Sequence, residues 1–285
     1  MDRRGFLEAL AAAAAAGLPI ASRRALAGED DDFYAIPRFG TASLLHMTDC
    51  HAQLLPVHFR EPDANIGVGP AAGKPPHLVG DALLRAYGIK PGSREAHAFT
   101  HLDFAQAAKA YGRMGGFAHL ATLVKRLRAS RPNALLLDGG DTWQGSATSL
   151  WTRGQDMIGA QKLLGVDIMT GHWEFTYGQA RVKEAIDREF GDRIEFLAQN
   201  VTTADFGDPV FKGSTLRTIG GIPIGIVGQA FPYTPIANPR YFTPDWTFGI
   251  KEEELQKQVD ALRAKGARVV VLLSHNGMDV DLKLA

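Results

Sequence analysis

A single cysteine, Cys50, among 285 residues rules out an intramolecular disulfide, so no covalent staple holds this chain. Net charge is missing too: 31 Lys+Arg balance 31 Asp+Glu. No global field therefore draws the chain to nucleic acid or to an anionic membrane. No apolar run is long enough to span a bilayer; the run 9–20 is dominated by alanine and is both too short and too weakly hydrophobic. No internal repeat is present. What remains is the composition of an ordinary globular chain, able to bury one large core or one domain plus a fragment. Its 31 glycines imply many tight turns.

The N-terminus is a targeting segment. Asp2-Arg3-Arg4-Gly5-Phe6-Leu7 is a twin-arginine motif, and Ala25-Leu26-Ala27 supplies a small-residue cleavage site after the alanine run. Residues 1–27 are expected to be a twin-arginine signal peptide and 28–40 an acidic linker. The twin-arginine route carries folded proteins, so a metal can be loaded before export, and the periplasm is the expected destination.

Four runs read as buried strands: 43–48, 134–137, 167–170 and 268–273. Each is followed at once by side chains that suit a metal: Asp49-Cys50-His51, Asp138-Gly139-Gly140-Asp141, Gly171-His172-Trp173-Glu174 and Ser274-His275. Helical periodicity lies between them, with a strong amphipathic helix from Gly115-Gly116 to Pro132 and further helices over 157–164, 179–190 and 252–265. Strand–helix alternation of this kind predicts βαβ units. A hairpin is expected over 216–227, turning at Gly220-Gly221, and a strand over 196–198. Residues 56–113 read as a long irregular insertion within a domain spanning 41–285, with one short helix over 101–111.

In an α/β sheet the C-terminal strand ends lie along one edge, so the four loops should converge. Carboxylate and imidazole without a thiolate suit a hard-to-borderline cation such as Mn, Fe or Zn. Strand alternation at the first loop places Asp49 and His51 on one side and turns Cys50 away, as a buried, inert thiol. Asp138 reads as a strand-end acid bonding nearby loop amides. The glycines before Asp141 allow close backbone approach to an ion, so Asp141 can bridge two cations. His172, Trp173 and Glu174 are costly to bury together unless each has a partner.

These segments resemble the metallophosphoesterase superfamily, in its 5′-nucleotidase branch. The third motif, Gly171-His172-Trp173-Glu174-Phe175-Thr176-Tyr177-Gly178, departs from that branch's Gly-Asn-His-Glu pattern: His172 replaces the Asn ligand and Trp173 the catalytic His. With Thr48-Asp49-Cys50-His51-Ala52-Gln53, Asp141-Thr142-Trp143-Gln144-Gly145-Ser146 and Ser274-His275-Asn276-Gly277-Met278-Asp279, this departure is similar to the SoxB thiosulfohydrolases of the bacterial sulfur-oxidising (Sox) system. The resemblance implies an α/β fold, a four-layer α/β/β/α sandwich of the calcineurin-like type, incomplete at the C-terminus. It implies two manganese ions, with Zn or Fe as alternatives. Asp49 and His51 would hold one, His172 and His275 the other, and Asp141 both; the catalytic set is Asp141, His172 and Trp173. Two further ligands and a C-terminal domain would lie beyond Ala285, so this length of chain alone is expected to be inactive.

The implied reaction is hydrolysis of a cysteine S-thiosulfonate on the SoxYZ carrier protein, releasing sulfate. An alkoxide is a poor leaving group without a proton, which a histidine can supply. A persulfide anion departs unprotonated, so an enzyme for that bond can replace the histidine with an apolar wall. A periplasmic 5′-nucleotidase or phosphoesterase, and an inactive metal- or carrier-binding fragment, are the alternative readings.

Overall fold

The computed structural model describes residues 37–58 and 64–285; the expected signal peptide, 1–27, and most of the 28–40 linker lie outside them. In chain order the first half runs β1 (Leu44–Met47), α1 (Gly80–Tyr87), α2 (Arg94–Phe99), α3 (Phe104–Tyr111), α4 (Gly116–Ser130), β2 (Leu135–Asp138), α5 (Ala147–Thr152), α6 (Gln155–Leu164), β3 (Ile168–Met169), α7 (Gln179–Glu184) and β4 (Glu195–Phe196). The second half runs β5 (Thr202–Thr203), β6 (Ser214–Ile219), β7 (Ile222–Gln229), α8 (Thr234–Ala237), β8 (Trp246–Thr247), α9 (Glu252–Ala264), β9 (Val269–Ser274) and α10 (Met278–Leu284).

One sheet is β1-β2-β3-β4, parallel throughout. A second is β6-β7-β9, with an antiparallel hairpin and a parallel third strand; β5 and β8 form a separate pair. Strand alternation explains how the two larger sheets stack. Leu135 and Leu137 of β2 point to one face and meet Ile222, Ile224 and Ile226 of β7 and Val271 and Leu273 of β9. Leu136, on the opposite face, packs with Phe117 and Val124 of α4, Met157 and Ile158 of α6, and Val182 of α7. Val270 and Leu272 face outward onto Leu255, Val259 and Leu262 of α9. Helix, sheet, sheet and helix thus form the four layers that the resemblance implies.

The helices follow from spacing and caps. Phe117, Leu120, Ala121 and Val124 put one stripe of α4 on the core. Ser146 caps α5 by accepting from Ser149 N–H at 3.1 Å. Glu252, Glu253 and Glu254 open α9 and Arg263 lies in its last turn, matching its macrodipole at both ends.

Several boundaries differ from the sequence reading. The insertion is not irregular: beside α3, which starts at Phe104, it holds α1 and α2. Apolar spacing there is short and broken by Pro91-Gly92, so neither helix stands out from its neighbours in sequence. The expected 179–190 helix is α-helical only to Glu184 and continues as a π-helical turn, Ala185–Phe190. That wider turn brings Phe190 edge-on to Trp143, with centroids 5.7 Å apart. β3 is only two residues long, and β1 ends at Met47. Among the described residues, no helix is long and apolar enough to cross a membrane.

The sheets meet closely at Gly228, where a Cβ would overlap the Leu197 carbonyl group and its Cβ. Gly228→Ala should destabilise the fold by about 1–3 kcal/mol through overpacking. Gly159→Ala, in α6 with open space around it, should instead stabilise by about 0.5–1 kcal/mol. Urea unfolding of both variants checks the pair; equal midpoints would contradict the packing argument.

Candidate metal centre

The C-terminal strand ends converge as parallel register requires. Met47, Asp138 and Met169 are paired neighbours in the first sheet, and Gln229 pairs with Ser274 in the second. Cross-loop hydrogen bonds lock the ends together. Asp49 N–H donates to Gly140 O at 3.0 Å, His51 N–H to Asp141 O at 3.0 Å, and Phe231 N–H to Gly171 O at 3.0 Å.

Five sequence-predicted side chains meet there, in two groups that share Asp141: Asp49, His51 and Asp141, and Asp141, His172 and His275. Asp141 Oδ2 lies 3.6 Å from His51 Nε2 and 3.0 Å from His172 Nδ1. Asp49 Oδ1 is 3.8 Å from both His51 Nε2 and His275 Nε2. His275 Nδ1 is 2.7 Å from Gly139 O, and a carbonyl only accepts, so the ring proton sits on Nδ1. The Nε2 lone pair therefore faces the centre, as a ligand must. Trp173, which the resemblance placed in the catalytic set, stands edge-on to His172 with centroids 5.6 Å apart.

The residues fit a cation. Asp141 is almost fully buried, and its Oδ1 has no hydrogen-bond partner. A buried carboxylate oxygen without a donor is unfavourable by several kcal/mol unless a positive charge compensates it. Imidazole and carboxylate are the donors that Mn, Fe or Zn accept. Glycine makes the room: a Cβ on Gly140, at φ 95°, would come within 3.1 Å of the Gly171 and Thr170 backbone.

One expectation fails in its reasoning. Asp49 and His51 do face the same centre, but not through strand alternation. Asp49, His51 and Ala52 all have left-handed φ, at 54°, 46° and 52°, beyond the end of β1. Cys50 is half-buried rather than buried, packed against the helix-side core with Sγ 3.9 Å from Thr48 O. Burial, reinforced by the Asp138 charge, pushes its thiol up to about 12.

Two buried carboxylates hold the Asp141 loop. Asp138, as expected, bonds loop donors: it accepts from Gly140 N–H at 2.9 Å and from the Thr142 hydroxyl, and also from Gln161 Nε2 at 2.6 Å. Burial pushes its carboxyl up to about 7, against the pull of those donors. Glu174 does more than the sequence disclosed. It accepts from four backbone N–H groups: Asp141 at 3.1 Å, Thr142 at 2.7 Å, Trp143 at 3.2 Å and His172 at 2.7 Å. It thus ties two ligand loops to one side chain. Gln161 was missed as well; a polar residue among Met157, Ile158 and Leu164 on an apolar helix face was the signal that could have found it.

No family model matches the chain. Among solved structures, Thermus thermophilus sulfate thiohydrolase SoxB is 40% identical with a TM-score of 0.80, over 88% of this chain and 46% of that one. The fold is that of the calcineurin-like phosphoesterases. A 5′-nucleotidase precursor, also from Thermus thermophilus, is 26% identical, with a TM-score of 0.59 over 86% of this chain and 39% of that chain. The Rattus norvegicus 5′-nucleotidase is 30% identical over 178 residues, 60% of this chain and 30% of that protein. The chain therefore spans under half the length of the SoxB chain and 30% of this curated relative. Together these similarities support a hydrolase of the metallophosphoesterase type.

Two outcomes follow from the packing. At pH 8, well below the raised Cys50 pKa, the thiolate fraction should be on the order of one in ten thousand. Iodoacetamide should then label native protein far more slowly than unfolded protein; equal rates would overturn this. Glu174→Gln turns an amide N–H₂ toward backbone donors and should cost about 1–3 kcal/mol of stability. Denaturant unfolding reads that loss, and an unchanged midpoint would contradict the assigned role.

Proposed function

We propose that the site is a binuclear divalent-metal centre, manganese in its native form, serving hydrolysis of a cysteine S-thiosulfonate on a carrier protein. The observation that carries the centre is Asp141, shared between two ligand groups with a buried oxygen left unpaired. Asp49 and His51 would hold one ion, and His172 and His275 the other. Divalent cations bound there supply Lewis acidity, offsetting sulfonate charge and lowering the pKa of water toward neutrality.

The chain's own residues account for the rest. His275, oriented by Gly139 O, and Asp141, held by Glu174 through its backbone, keep the donors in place without rearrangement. Water oxygen bonds to the terminal sulfonate sulfur, the S–S bond breaks, and its electron pair leaves on the persulfide sulfur. Sulfate and a cysteine persulfide result, and the released protons pass to solvent. Trp173 offers that leaving group no acid, and a persulfide anion requires none. The likeness to SoxB supports this substrate over a nucleotide, and the SoxYZ carrier is the partner it implies. The twin-arginine motif supports a periplasmic location.

The test is turnover by the full-length protein of AMP against a carrier-bound cysteine S-thiosulfonate, with the thiosulfonate expected to win by orders of magnitude. Trp173→His should raise phosphoesterase turnover; comparable rates in the parent, or no gain in the variant, would count against the reading. Asp141→Asn should lower the content of both metals, and Cys50→Ser should leave it nearly unchanged. Metal analysis of the two proteins decides between them.

A further inference from the structure

The two ligand groups sit in unlike surroundings. The side chains of Asp49 and His51 are 50% and 52% exposed, whereas those of His172 and His275 are only 12% and 13% exposed. Part of that difference comes from a residue outside the four motifs. The Phe231 ring lies on His172, with centroids 4.1 Å apart and planes tilted by 52°, and meets His275 edge-on at 6.2 Å and 90°. Trp173 stands edge-on to the same His172 imidazole.

Phe231 is held there by a dedicated set of bonds. It lies just beyond the end of β7, and its own N–H donates to Gly171 O, in the residue before His172. The preceding residue, Ala230, is clamped on both sides. Its N–H donates to Asn200 Oδ1 at 2.9 Å, and its carbonyl accepts from Asn200 Nδ2 at 2.8 Å. Asn200 is fully buried, so the clamp works away from competing water. On its outer side Phe231 meets Tyr233, with centroids 5.7 Å apart.

We infer that Phe231 is a positioning residue for the metal centre. Resting on the reading of Asp141, His172 and His275 as ligands, this means that the phenyl ring sets the His172 imidazole plane and keeps water from the histidine-rich half. An apolar group against a ligating imidazole restricts its rotation and lowers the local dielectric, which strengthens charge interactions between ligand and ion. Phe231 thereby makes the two metal positions inequivalent, shielding and tightening the one held by His172 and His275.

The test uses the full-length protein, stripped of metal and titrated with Mn²⁺, with bound ion read by electron paramagnetic resonance and water access by proton relaxation. The parent should show two classes of site. Phe231→Ala should weaken the tighter class by roughly 10-fold and raise the water relaxation of that ion, leaving the weaker class unchanged. Phe231→Tyr, which keeps the ring, should restore both values. Unchanged affinity and relaxation in Phe231→Ala would overturn the inference while leaving the centre intact. Equal loss from both classes together with a lowered melting temperature would also overturn it, since the ring would then serve only the fold. A parent that binds fewer than two ions would overturn the binuclear reading itself.

Discussion

Four backbone N–H groups converge on the buried carboxylate of Glu174, and the geometry of the site depends on that convergence. Three come from Asp141, Thr142 and Trp143, after β2, and one from His172, after β3. Without this acceptor the backbone donors of both loops would be buried and unpaired, each costing about 1–3 kcal/mol. With it, two loops separated by a stretch of helix and strand become one rigid unit. Asp141 can then be held at φ 60°, a conformation few non-glycine residues adopt, because its surroundings over-determine it. Four of the eight non-glycine left-handed residues described belong to this site: Asp49, His51, Ala52 and Asp141. Strain is gathered where ligands must point at a common centre rather than along a strand.

A second carboxylate supports the first. Asp138 fastens the turn through Gly140 and Thr142, and Gln161 joins it to the indole of Trp143 at 2.8 Å. The chain of bonds runs from the strand end through helix α6 to a fully buried tryptophan, so core packing is transmitted to the Asp141 loop. That is a physical reason for polar residues inside an apolar layer: they hold the loop in register, where apolar contacts alone would let it slide. The second sheet contributes differently. It brings His275 and Phe231 from strand ends that pair at Gln229 and Ser274, and its approach to the first sheet is set by the close contact at Gly228.

The centre that results is asymmetric. Asp49 and His51 lie on an exposed turn, whereas His172 and His275 lie among Phe231, Trp173 and the strand ends. Trp173 lies with this second group, edge-on to His172.

The convergence of the five candidate ligands was legible in the linear chain because each follows an apolar run, and parallel strands carry their C-terminal ends to one edge whatever the loop lengths. The strand–helix alternation was legible because helical and strand periodicity are local properties, whereas the four-layer order came only from the resemblance of the motifs. The orientation of Asp49 and His51 was not, because left-handed turn residues break the alternation on which that reasoning relied, and only cross-loop bonds to Gly140 and Asp141 stabilise them. Helices α1 and α2 were missed because they are only eight and six residues long and are separated by Pro91-Gly92. Glu174, Gln161 and Asn200 acquire their roles from groups distant in sequence. Phe231 carried no signal at all at the head of a proline-rich loop; its meaning comes from lying 4.1 Å from His172. The sequence alone determined which atoms can bind a cation. Only the tertiary structure decided how they are aimed and what packs against them, because both depend on bonds and packing between segments that no local pattern records.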